Sequence, residues 1–152
     1  MSVNPMTKHH LLVVANETVE GTALVETVRD IALAGHAEVL VVAPALNSRL
    51  RHWMSDSDGA RHAAEVRLAG CLARLREAGI PATGHVGDAD PVLAMEDAMA
   101  DFPADEIVIG THPEERSNWL ARDLVGRTCA YFGLPVAHVV VDVATRREYL
   151  AA

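Results

Sequence analysis

The sequence predicts an α/β domain with a parallel sheet covered by helices on both faces. Five short runs rich in β-branched residues recur along the chain: Leu11 to Ala15, Glu38 to Ala43, Ala82 to Val86, Glu106 to Ile109 and Val136 to Val143. Each of the first four is followed by a segment of helical periodicity, and strands alternating with helices of this length build βαβ units. With 152 residues, 50% of them hydrophobic, the chain can bury one core, and one domain is expected.

The helices follow from their stripes and their ends. The first, about Glu20 to Ala34, aligns Leu24, Val28 and Ile31 and stops at Gly35. The second, about Asp58 to Ala78, aligns Ala64, Leu68, Cys71, Leu72 and Leu75, leaves Arg61, Glu65, Arg74 and Glu77 for solvent, and ends at Gly79-Ile80-Pro81. The third begins with Asp90 as N-cap and Pro91 at the first helical position, where the missing N–H costs nothing. Val92, Met95, Met99 and Phe102 then face inward. The fourth starts near Ser117 or Asn118, buries Leu120, Leu124, Thr128 and either Tyr131 or Phe132, and stops at Gly133-Leu134-Pro135. Domain boundaries follow: a tail over 1–8, the α/β domain over 9–143 and a C-terminal tail over 144–152.

Composition excludes several classes. The formal charge of -8, from 21 acidic against 13 basic residues, argues against a nucleic-acid surface, where a basic patch dominates the field. No stretch approaches the roughly 20 apolar residues of a membrane span, and the opening Met1-Ser2-Val3-Asn4-Pro5 carries no export pattern. A cytoplasmic location and no membrane partner are expected. Cys71 and Cys129, the only cysteines, each sit in a helical pattern and are expected to be reduced and buried.

The segment Ile107 to Trp119 runs a strand into Gly110 and then toward a helix start, the place where α/β proteins hold an anion on backbone N–H groups. Ala45 to Ser57 is longer than an ordinary strand-to-helix connection. Its Arg49, Arg51, His52 and Trp53 either meet a ligand at the carboxyl end of the sheet or form a surface loop with Trp53 packed on the second helix.

Five pieces in order resemble universal stress proteins: Leu11-Leu12-Val13-Val14-Ala15-Asn16, Glu38-Val39-Leu40-Val41-Val42, Val86-Gly87-Asp88-Ala89-Asp90-Pro91, Ala104-Asp105-Glu106-Ile107-Val108-Ile109-Gly110 and Leu134-Pro135-Val136. The resemblance implies a Rossmann-like sheet of five parallel strands in the order 3-2-1-4-5. It also implies, for the ATP-binding class, a pocket at the carboxyl ends of strands one, two and four. An acidic residue ends strand one there, strand two offers its backbone, and a G-x-x-G, nine residues, then G-[S/T] motif follows strand four.

Mapped onto this chain, the candidate pocket is Ala15, Asn16, Ala43, Pro44, Gly110, Thr111, Pro113, Arg122 and Asp123. Asn16 stands where the family has aspartate, and Ala43-Pro44 where His-Val is common. Gly110 matches the first glycine, whereas Pro113 replaces the second and removes an N–H. Arg122 or Asp123 falls at the third, depending on the frame. The carboxylates of Glu114, Glu115 and Asp123 would repel a triphosphate. The expectation is therefore no ATP binding in the family's usual mode. The alternative is an adenine-nucleotide sensor, for ATP or AMP, with a modified phosphate loop.

Arg116, Arg122 and Arg127 offer an alternative anion site, against a reading as solvated or paired side chains. His112 is read as a loop histidine bonded to its own turn, with a ligand contact as the other reading. The eight histidines show no metal-ligand spacing. No nucleophile-base pair, Walker motif or paired carboxylates appears, so enzyme chemistry has no positive support. An electron-transfer flavoprotein on the same scaffold rests on fold analogy alone. The long apolar run Val136 to Val143 is read as an edge strand, which soluble proteins seldom leave open. Because the family often dimerises there, a homodimer across Val136 to Val143 is expected, with Thr145 to Tyr149 as an extension beside it, and a protein partner for its outer surface.

Overall fold

The computed structural model describes residues 9–15, 22–35, 37–45, 57–111, 115–142 and 147–151. Along the chain run β1 (His10–Ala15), α1 (Thr22–Gly35), β2 (Glu38–Pro44), α2 (Ser57–Glu77), β3 (Ala82–Gly87), α3 (Pro91–Asp101), β4 (Glu106–Thr111), α4 (Glu115–Phe132), β5 (Val136–Asp142) and β6 (Arg147–Ala151). The sheet order is β3-β2-β1-β4-β5-β6. Strands β1 to β5 are mutually parallel, in the expected 3-2-1-4-5 order, and β6 lies antiparallel to β5.

Alternation along the strands divides the core into two layers. Leu11, Val13, Ala15, Val39, Val41, Ala43, Val108 and Val139 meet Leu24 and Val28 of α1 and Ala64, Cys71 and Leu75 of α2. Leu12, Val14, Val42, Ile107 and Ile109 meet Val92, Ala94, Met95 and Ala98 of α3 and Leu124 of α4. Central β1 is fully buried from Leu11 to Ala15.

The helix ends obey their local chemistry. Asp90 caps α3, its Oδ1 accepting from the Val92 N–H at 3.0 Å. Gly79 and Gly133 take φ values of 81° and 65° just beyond α2 and α4, the left-handed conformation that lets the chain leave a helix. At the amino edge of the sheet, the backbone N–H groups of Glu38 and Asp105 donate to the carbonyls of His9 and His10, at 2.7 and 2.8 Å. The His10 N–H returns a 2.8 Å bond to Asp105 Oδ2. That bond, helped by both neighbouring histidines, holds the Asp105 carboxyl below the usual carboxylate range.

Three expectations change. The edge of β5 is not open, because residues 138–142 pair with residues 147–151, which the sequence reading assigned to a C-terminal tail. Pairing with an existing strand makes β6 a strand without any alternating pattern of its own. Cys129 is exposed while Cys71 is buried, since Cys129 follows the inward-facing Thr128 on α4 and points off the buried stripe. Helix α4 starts at Glu115, before Ser117. Of the two aromatic residues at its end, Phe132 packs against the core and Tyr131 is exposed.

His138 is a buried imidazole on β5, 9% exposed. Val136 packs against the α3/α4 layer and Ala137 and Val139 against the α1/α2 layer, so His138 faces α3 and α4. Burial lowers its pKa from the ordinary 6.5, because the charged ring would lose water. The unfolded chain therefore binds the proton more readily, and stability falls as pH drops below 6.5 toward the folded pKa. Urea melts at pH 7 and pH 5 are expected to show a smaller loss for His138→Gln than for the wild type, whatever the offset in absolute stability. Equal losses would remove His138 from the pH response.

Candidate functional site

The carboxyl edge of the sheet is formed by the ends of β1, β2 and β4. Ala15 and Gly110 stand opposite each other in the β1–β4 register, at the point where the strand order reverses and open α/β sheets part to admit ligands. Pro44 ends β2 opposite Gly87 of β3. Thr111 ends β4 beside Val140. Asn16, His112, Pro113 and Glu114 lie outside the described residues, as do Arg49, Arg51, His52 and Trp53.

The strand expected over Glu106 to Ile109 continues through Gly110 to Thr111, so Gly110 lies within β4. Its φ is not in the left-handed region, and a Cβ built there would sit 3.4 Å from Leu24 Cδ2, an ordinary contact. The strand carries on because Gly110 and Thr111 both keep partners in β5.

Arg122 lies within α4. Asp123 is exposed and pairs with Arg127 at 4.0 Å, one helical turn on. At about 1.5 Å per residue, Asp123 stands roughly 12 Å along α4 from Glu115. Ala15, Pro44 and Gly110 thus share the carboxyl edge, while Asp123 belongs to the outer surface of α4.

The side chain that joins the strand ends is Arg67 of α2. Its Nη2 donates to the Pro44 carbonyl at 2.7 Å and its Nε to the Ala15 carbonyl at 3.3 Å. A guanidinium suits this role because its donors form a rigid planar fork. Pro44 has no N–H to offer, and the next one, on Ala45, donates to the Gly87 carbonyl at 3.2 Å. The exit of β2 is therefore satisfied from within the protein.

Sequence reasoning passed over Arg67, although the signal was readable. It lies three residues after Ala64 and four before Cys71, both buried, so it sits on the inward stripe of α2. A charged residue on a buried stripe needs a polar partner, and here strand-end carbonyls supply one.

Nothing else among the described residues at this edge assembles into reaction chemistry. The Cys71 thiol is pushed up to about 12 by burial, which keeps it protonated and unreactive at neutral pH. Among the described residues no group of three or more His, Cys, Asp or Glu is arranged to hold a metal ion. His9 and His10 face Glu38, Asp105 and Glu106 at 3.3 to 3.8 Å, but at the amino edge, opposite the candidate pocket. No helix among the described residues is long and apolar enough to cross a membrane.

No protein-family model and no curated protein matches the chain. Solved structures do. A universal stress protein from Archaeoglobus fulgidus is 18% identical with a TM-score of 0.63, over 88% of this chain and 94% of that one. The universal stress protein of that organism in complex with dAMP is 18% identical, with a TM-score of 0.60 over 87% of this chain and 97% of that one. A universal stress protein family protein from Arabidopsis thaliana with AMP bound is 11% identical, with a TM-score of 0.57 over 90% and 94%. The chain has the fold of the universal stress proteins.

Proposed function

We propose that the protein is a universal-stress-type regulatory or interaction module that does not bind ATP in that family's usual mode. The observation that carries this reading is the closed exit of β2. Adenine offers an amino donor beside a ring acceptor, and a backbone carbonyl with a neighbouring N–H reads that pair. Here Pro44 has no N–H, its carbonyl accepts from Arg67, and the Ala45 N–H is engaged by Gly87. In the sequence Glu114 and Glu115 closely follow β4, a charge pattern unfavourable for a triphosphate.

A homodimer across the sheet edge belongs to this reading. Because β6 covers β5, the edge offered to a second copy is the outer side of Arg147–Ala151, or that of β5 once β6 is displaced. The second reading is an AMP-type sensor with a modified loop, favoured by the two structural neighbours that hold dAMP and AMP. A monophosphate brings less charge than ATP to a chain of formal charge -8.

Native mass spectrometry of the purified protein tests both parts. The expected species has twice the 16.3 kDa chain mass and carries no nucleotide. A co-purified adenine nucleotide would replace this reading with the sensor, and a clean monomer would remove the dimer.

A further inference from the structure

We propose that Arg67 is the internal occupant of the carboxyl-edge pocket, its guanidinium standing on the strand-end carbonyls that the amino group of a purine nucleoside would otherwise use. The inference rests on the reading above, that the ends of β1, β2 and β4 form the pocket. It adds that the pocket is latent, with Arg67 engaging its strand-end acceptors, and that this side chain decides whether a purine nucleoside enters.

The geometry is specific. The two carbonyls belong to residues 52 and 23 positions from Arg67 in the sequence, on adjacent central strands, and one fork reaches both. The 2.7 Å bond to Pro44 is charge-assisted, the stronger class of protein hydrogen bond. An incoming exocyclic amino group is a neutral donor and competes poorly for the same acceptors. Once the guanidinium is withdrawn, the carbonyls of Ala15 and Pro44 present two acceptors at the ends of neighbouring parallel strands. That arrangement takes an amino-bearing base without needing the N–H that Pro44 lacks. Arg67 is half-buried and anchored on a long flexible stem, so it can be removed without emptying the fully buried core beneath it.

Isothermal titration calorimetry of the full chain with adenosine and with AMP tests the proposal, adenosine isolating the base from the phosphate. The variants are Arg67→Ala and Arg67→Met, the second keeping an aliphatic stem against α2 if the first fails to fold, with circular dichroism reporting the fold of each. The expected result is a gain of at least about tenfold in adenosine affinity over the wild type, the scale of one charged hydrogen bond no longer competing. Folded variants that gain nothing over a non-binding wild type overturn the proposal and leave the proposed function standing. A wild type that already binds AMP, with variants that bind adenosine more tightly, supports the proposal and overturns the non-binding reading. A wild type that binds, with variants that bind equally or more weakly, overturns both.

Discussion

Gly84→Ala is expected to cost about 2–3 kcal/mol of stability, as overpacking of a filled site does. A Cβ at this position would lie 2.6 Å from the Val41 carbonyl oxygen and 2.6 Å from Leu68 Cδ1. The first contact is the decisive one, because Val41 belongs to the neighbouring strand and its backbone is fixed by the sheet register. A flexible side-chain end could turn away, whereas a strand carbonyl moves only with its strand. Gly87 on the same strand is pressed from the other layer, with Ala94 Cβ 2.7 Å from its would-be Cβ. Helices α2 and α3 therefore both approach β3 closely through its glycines. Gly126 is the control: nothing lies within 4 Å of its would-be Cβ in α4, so Gly126→Ala should stabilise by roughly 0.5–1 kcal/mol. Urea unfolding monitored by circular dichroism separates the two, and a Gly84→Ala midpoint equal to that of the wild type would contradict the close approach.

Leu24→Ala is expected to cost about 2–5 kcal/mol, a large share of the roughly 5–15 kcal/mol available to a domain. Leu24 is 1% exposed in the α1/α2 layer and packs below the junction of β1 and β4. Its two terminal carbons approach the would-be Cβ of Gly110 at 3.4 and 3.6 Å, which turns this substitution into a probe of the site. Gly110→Ala alone adds a methyl at ordinary contact distance and should change stability by less than about 1 kcal/mol. In the Leu24→Ala background the same methyl projects into vacated volume and should restore part of the loss, giving a coupling of roughly 0.5–1 kcal/mol. Strict additivity in the double-mutant cycle would mean that Gly110 and Leu24 do not meet.

The parallel sheet was legible because its strands carry their own signal. Leu11 to Ala15 and Ile107 to Ile109 are unbroken apolar runs, and a strand buried on both faces needs no alternation. Asp90-Pro91 likewise announced α3 through chemistry confined to a few residues. What could not be read locally was β6, since Arg147 to Ala151 becomes a strand only through its partner β5. The candidate pocket divides along the same line. Ala15, Pro44 and Gly110 were placed by the strand ends that contain them, whereas the bonds from Arg67 join distant parts of the chain. Counting frames past Pro113 could not reveal that Asp123 faces outward beside Arg127, because helix phase decides it and α4 begins earlier than the capping pattern suggested.

The alternation of β1 bears on how the molecule comes apart. Leu11 and Val13 belong to one layer and Leu12 and Val14 to the other, so neither layer survives the loss of this strand. The two layers share one wall and unfold as one cooperative unit, with the amides of central β1 opening only when the whole domain does.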